Sequence, residues 1–155
     1  MGIFAVQLAR IHGAYVIATS SQQRVETARM LGADDVIDHA ATDFTSIEPV
    51  DLVFDTAGGD RLTRSVDVLK PGGRLVSVAE RPSQELCDEH GVEGAFFIVE
   101  PNRNQLIELA RLADRGALQV LIDQTYPLSD ARKAFDHVMS RGGGGKVVLT
   151  VTGVG

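Results

Sequence analysis

Tryptophan is missing from this 155-residue chain, cysteine occurs once, and aromatic residues make up only 5% of it. A single cysteine, Cys87, excludes an intrachain disulfide framework, so the cytoplasm is the expected compartment. Basic residues are outnumbered: 15 Lys and Arg stand against 21 Asp and Glu, for a formal net charge of −6. Phosphate backbones and anionic lipid surfaces draw basic proteins, so no nucleic-acid or membrane partner is expected. No apolar run approaches the roughly 20 residues that cross a bilayer. The opening MGIFAVQLARIHG lacks a basic lead and is interrupted by Arg10 and His12, so no secretory signal is expected. The histidines (His12, His39, His90, His137) are scattered, without H-x-x-x-H or cysteine spacing, and no metal site is expected.

What the chain does have is a repeated alternation. Hydrophobic residues make up 44% and there are 16 glycines, which suits short elements joined by many turns. Phe4, Leu8 and Ile11 fall at helical spacing. YVIATS (15–20) is short and β-branched and predicts a strand; Ser21 can cap a helix carrying Val25, Ala28 and Leu31, ended by Gly32. DDVIDH (34–39) predicts a second strand, and VDLVFDTAGG (50–59) a buried strand running into a glycine turn. Leu62, Val66 and Leu69 give the next helix its apolar face, with Pro71-Gly72-Gly73 expected to stop it before a buried strand RLVSVA (74–79). A short helix over 83–89, a strand GAFFIV (94–99) with Phe96 in the core, and a helix from Pro101 to Gly116 follow. The end reads as strand (121–126), helix (129–140), glycine loop and strand (146–151). Apolar strands alternating with amphipathic helices predict an α/β fold: a Rossmann-like, doubly wound, mostly parallel sheet with a C-terminal strand–helix–strand segment.

The strings GIFAVQLAR, LGADDVID, DLVFDTAGG, LKPGGRLVSVAE, FFIVEPNRNQL and GKVVLTV stand in one order along the chain. In that order they resemble the zinc-free, quinone-oxidoreductase-like branch of the medium-chain dehydrogenase/reductase superfamily. The resemblance runs from residue 2 to about residue 152. It implies that residues 1–117 are a partial NADP-binding Rossmann domain, and that residues 118–155 return to a substrate domain. It also implies that a substrate domain, the first Rossmann strand and the start of the glycine turn would precede this segment. The expected sheet therefore lacks its first strand, and the chain alone is expected to bind cofactor weakly and not to turn over.

Several residues follow from the resemblance together with the chemistry of such sites. Gly2 matches the last glycine of the dinucleotide fingerprint, ahead of a helix whose N-terminus suits a pyrophosphate. NAD-binding proteins carry an acid after the second strand for the ribose hydroxyls. This chain has Ser20, Ser21 and Arg24 there, with no acid before Glu26, which favours the 2′-phosphate of NADP(H). The family commonly places a tyrosine after the third strand; here it is His39, whose imidazole can meet a phosphate. Thr56, Ala57 and Ala79 end strands that the resemblance turns towards the nicotinamide ribose. Phe97, Ile98 and Val99 match a segment whose backbone meets the nicotinamide amide. No residue presents itself as a catalytic acid.

The implied activity is hydride transfer from NADP(H) to a quinone or an activated enone or carbonyl. The implied assembly is a homodimer through the strand at 94–99, which lacks the charges that protect a free edge. Two other readings stay open: a truncated, non-catalytic binding or dimerisation module, and a methyltransferase-like Rossmann domain suggested by VDLVFDTAGG and LKPGGRLV. Residues 142–146 resemble a phosphate loop only superficially, because Ser140 and Val147 stand where that motif needs a glycine and a hydroxyl residue.

Overall fold

A computed structural model describes residues 1–140 and 144–151. The chain divides into two units, Met1–Leu106 and Ile107–Gly155. In the first, helices α1 (Gly2–Ile11), α2 (Val25–Met30), α3 (Asp60–Arg64) and α4 (Gln84–His90) alternate with strands. The strands are β1 (Ile17–Ser20), β2 (Asp35–Asp38), β3 (Val50–Asp55), β4 (Leu69–Ser77) and β5 (Glu93–Phe96). Helix α5 (Arg103–Asp114) crosses the division, and β6 (Ile122–Pro127), α6 (Ala131–Met139) and β7 (Lys146–Thr150) follow. The glycine loop expected before β7 lies partly outside the described residues.

Each pairing between these strands is parallel, as the alternation predicts. The strands fall into three groups, β1-β2, β3-β4-β5 and β6-β7. Strands β1 and β3 therefore each keep one edge without a ladder partner among the described residues. That explains a departure from expectation: β3 is not a buried strand. Leu52 is 54% exposed, and Asp55 is the one residue of β3 that is buried.

The core of the first unit sits where α3, α4 and the turn between α3 and β4 cover β4. Leu62, Val66, Leu69, Leu75, Cys87 and Val92 form one cluster, with Val50, Val53 and Leu86 packed against it. Leu75 and Cys87 have almost no exposed surface. Helix α4 can approach β5 this closely because residue 94 is glycine: a Cβ there would stand 2.7 Å from the Cys87 Sγ. Burial, and then the Asp88 carboxylate, push the Cys87 thiol pKa up, so this cysteine is a core residue with little thiolate at neutral pH.

Two element boundaries differ from expectation. Pro71-Gly72-Gly73 does not precede a strand but bulges within one: β4 starts at Leu69, and its register jumps from Val50↔Leu69 to Leu52↔Arg74. Gly72 has φ 76°, and a Cβ at Gly73 would lie 2.8 Å from the Lys70 carbonyl oxygen, so the bulge needs both glycines. The strand expected over 94–99 ends at Phe96, because its partner β4 ends at Ser77, which pairs with Phe96. Residues 97–99 continue without a strand neighbour.

Two helix starts carry side-chain caps. Ser83 Oγ accepts a hydrogen bond from the Leu86 amide and Gly91 ends α4 in the left-handed conformation. Asn102 Oδ1 accepts from the amides of Asn104 and Gln105 ahead of α5, so the asparagine, not Pro101, sets that start. In the second unit, β7 lies so close to residue 121 that a Cβ at Gly145 would collide with the Leu121 carbonyl oxygen. His137 Nε2 and Asp123 Oδ2, 2.6 Å apart, tie α6 to β6.

Leu75→Ala is expected to lower unfolding stability by about 2–5 kcal/mol, and Leu52→Ala, on the open edge strand, by less than about 1 kcal/mol. Urea unfolding of the two variants checks the contrast; equal losses would place Leu52 in the core.

Candidate functional site

Parallel strands end their carboxyl termini on one side of a sheet, and two groups of polar residues collect at such ends here. The first lies where β1 and β2 stop. Register pairs Ser20 with Asp38, and the His39 amide donates to the Ser20 carbonyl at 3.1 Å. Ser20, Ser21 and His39 are therefore neighbours at these strand ends, and Arg24 closes the turn that follows, its amide donating to the Ser21 carbonyl at 2.9 Å. The Ser20 hydroxyl donates to the Ser21 carbonyl at 3.1 Å. Ser21 precedes a 3-10 turn, Gln22–Arg24, and its side chain makes no capping hydrogen bond, contrary to the helix-cap expectation. The turn intervenes before α2 starts at Val25, which moves Ser21 away from the helix end.

Asp38 was not anticipated. No carboxylate stands between the end of β1 and Glu26, yet parallel pairing sets Asp38 beside Ser20, at the neighbouring-strand spacing of about 4.8 Å. Its Oδ1 accepts from the Ala40 amide at 3.0 Å, so the carboxylate caps its own turn. The signal that finds it is strand register, which a scan along the chain from β1 does not contain.

Beyond His39 an open hollow of about 310 Å³ is lined by His39, Thr42, Asp43, Phe44, Asp60 and Arg61, among others. Arg64 closes one wall. Its guanidinium meets both Asp43 oxygens, at 2.6 and 2.7 Å, and lies 5.2 Å from the centre of the Phe44 ring. The Thr45 amide and then the Thr45 hydroxyl hold the Asp43 carboxyl below the usual carboxylate range, with Arg64 adding to them.

The second group ends β3 and β4. Thr56, Ala57 and Ala79 are exposed there, on loops anchored by two buried polar residues, Asp55 and Ser77. Asp55 accepts from the Ser77 hydroxyl at 2.8 Å, from the Ala57 amide at 3.2 Å and from the Gly58 amide at 3.0 Å. The Ser77 oxygen in turn accepts from the amides of Ala79 and Glu80. Phe97, Ile98 and Val99 follow β5 and are 48%, 76% and 80% exposed. Phe96 is half-buried rather than a core residue: it sits at the edge strand's end with the Arg81 guanidinium 5.4 Å from its ring centre. Gly2 heads α1, where a Cβ would meet nothing within 4 Å.

A family profile described as "Zinc-binding dehydrogenase" matches residues 31–149, most of the chain. The chain belongs to the zinc-binding dehydrogenase family. Within the medium-chain dehydrogenase/reductase superfamily it is quinone-oxidoreductase-like. A probable zinc-binding oxidoreductase, mitochondrial, of Arthroderma benhamiae is 34% identical, over 97% of this chain and 49% of that protein. A 2-haloacrylate reductase of a Burkholderia species is 31% identical, over 96% of this chain and 52% of its own length. Among solved structures, the quinone oxidoreductase from Coxiella burnetii superposes with a TM-score of 0.86 at 29% identity, covering 96% of this chain and 48% of the other. The chain thus spans about half the length of the curated relatives it matches.

The described residues of this chain do not fit the zinc in the family's description. Among the described residues no group of three or more His, Cys, Asp or Glu can hold a metal ion. Cys87 is sealed in the core, His137 is bonded to Asp123, and His12 and His90 each meet a backbone carbonyl of their own helix.

Asp43 gives this family member a pH signature. Its folded pKa is lowered, so its contribution to stability is present above about pH 4 and lost as pH falls through the folded value. Thermal unfolding midpoints from about pH 6 down to about pH 3 should fall less for Asp43→Asn than for the parent chain. Identical profiles would remove Asp43 from the acid response.

Proposed function

We propose that this chain is the cofactor-binding portion of an NADP(H)-dependent oxidoreductase acting on a quinone or an activated enone or carbonyl. One observation carries the reading. Ser20, Ser21 and His39 lie at the carboxyl ends of β1 and β2, with Arg24 in the turn that follows, and open α/β sheets bind their ligands at such ends. The Ser21 hydroxyl, the His39 imidazole and the Arg24 guanidinium are residue types that suit a 2′-phosphate, and the carboxylate paired with Ser20 in the ladder, Asp38, is turned to the Ala40 amide. The family membership and the reductase and quinone oxidoreductase among its relatives support the reaction class.

In this reading Gly2 and the start of α1 face the pyrophosphate. Thr56, Ala57 and Ala79 line the nicotinamide ribose, and the backbone of Phe97, Ile98 and Val99 meets the nicotinamide amide. A bound nicotinamide supplies the hydride. The residues of this chain bind and orient; none is assigned as a catalytic acid. Residues 1–117 form the cofactor-binding portion, and residues 118–155 return to a substrate domain. The lone cysteine supports a reducing compartment such as the cytoplasm.

Calorimetry is expected to show tighter binding of NADPH than of NADH. Arg24→Ala should narrow that difference by about 1–2 kcal/mol, the worth of a charge-assisted hydrogen bond. Equal or reversed affinities for the two dinucleotides would refute the NADP(H) assignment.

The proposed partner is a second copy of the chain, joined along β5. Among the described residues that strand pairs with β4 alone, and the apolar residues 97–99 extend from it into solvent. Sedimentation at micromolar concentration should show a dimer that Phe97→Lys dissociates. A monomeric parent chain, or a dimer indifferent to the lysine, would contradict this assembly.

A further inference from the structure

Besides His39, the hollow beyond the ends of β1 and β2 gathers charge from two stretches far apart in sequence: Asp43 from the segment after β2, and Asp60, Arg61 and Arg64 from α3. Its volume of about 310 Å³ lies at the small end of the range for ligand sites. The Arg64 guanidinium meets both Asp43 oxygens, at 2.6 and 2.7 Å, and lies 5.2 Å from the centre of the Phe44 ring. Each charge of that pair is answered by the other, so the pair adds little net field to the hollow.

Arg61 differs from Arg64. It stands earlier on the same helix, is exposed, and has no carboxylate partner among the described residues. Arg61 and His39 border one space from two separate elements. A guanidinium stays charged throughout the working pH range and grips phosphate through paired N–H groups, which an ammonium or a hydroxyl does not offer. A phosphate monoester brings a charge of about −1.5 to −2 and three acceptor oxygens at neutral pH, more than one cation answers. Asp60 is the lining carboxylate that has no cation partner among the described residues, so it opposes the same anion.

We infer that Arg61 is a specificity-determining residue of the cofactor site, a guanidinium from α3 that meets the 2′-phosphate of NADP(H) beside His39. This rests on the cofactor reading above and deepens it. The segment after β1 supplies Ser21 and Arg24, and α3 supplies a second arginine that no pattern around β1 contains. The carboxylates of the hollow divide into two: Asp43 is neutralised by Arg64, and Asp60 limits how tightly the anion is held. Because NADH lacks the 2′-phosphate, Arg61 and Asp60 act on the choice between the two dinucleotides and little on the binding they share.

The test uses ligand pairs that differ only in that phosphate. Calorimetry on the full chain would compare NADPH with NADH, and adenosine 2′,5′-bisphosphate with adenosine 5′-monophosphate, for the parent, Arg61→Gln and Asp60→Asn. Arg61→Gln is expected to weaken NADPH and the bisphosphate about fivefold to tenfold, the range of one lost hydrogen bond at an exposed position, and to leave NADH and the monophosphate unchanged. Asp60→Asn should move the same two ligands the other way, tightening them about twofold. Both residues are exposed, so neither change removes core packing. A loss shared by all four ligands would show a general attraction of anions or a structural role and overturn the inference, as would an Arg61→Gln variant that binds like the parent. In either case a parent that prefers NADPH leaves the NADP(H) reading intact. A parent that binds NADPH and NADH equally, or neither, would refute that reading, and this inference with it.

Discussion

The Ser77 hydroxyl is fully buried and donates to a carboxylate, Asp55, that is itself 7% exposed. A carboxylate so placed costs free energy unless hydrogen-bond donors surround it. Asp55 gathers them from its own loop and from the neighbouring strand, and in doing so fixes where β3 and β4 end relative to each other. Much of the unit follows. The turn after β3 delivers Gly59 as the residue ahead of α3; α3 and the turn after it bring Leu62 and Val66 onto Leu75; and α4 seats Cys87 against Gly94 of β5. Below the carboxylate lies the apolar cluster around Leu75, and above it are the loop residues to which ligand contacts are assigned.

Unpaired edges shape the surface as strongly as the core shapes the interior. Parallel strands bury both faces only when neighbours flank them and helices cover them. With β1 and β3 in separate ladders, residues whose composition suits a core stand in solvent, Leu52 among them. The same holds at the other margin, where β5 stops with β4 and leaves residues 97–99 exposed. Apolar side chains of α5, such as Leu106 and Leu109, and Phe135 and Met139 of α6 are exposed as well.

The order of elements was legible because each rests on local chemistry: two-residue or helical spacing of apolar side chains, and glycine or proline between them. The parallel pairing followed from that order, and the family from the resemblance carried by six strings such as DLVFDTAGG and LKPGGRLVSVAE. What escaped depended on partners distant in sequence. The Pro71-Gly72-Gly73 segment carries the signature of a stop, but it bulges within β4 because Leu69 already pairs with Val50. GAFFIV reads as one strand, yet only its first part finds β4 alongside. Ser21 has the right residue type for a helix cap and an intervening turn removes the helix from its reach. Asp38 joined the candidate site through register alone, and the Asp55–Ser77 bond joins residues 22 apart that no local pattern links.

The proposed cofactor site joins the ends of β1 and β2 with those of β3 and β4. Amide chemical-shift mapping by NMR, with NADPH titrated into the chain, tests it most directly. The account predicts shifts that saturate together at Ser20, Ser21, Arg24 and His39 and at Thr56, Ala57 and Ala79, with the amides of α6 unmoved. Shifts confined to the second unit, or none at millimolar NADPH, would contradict it.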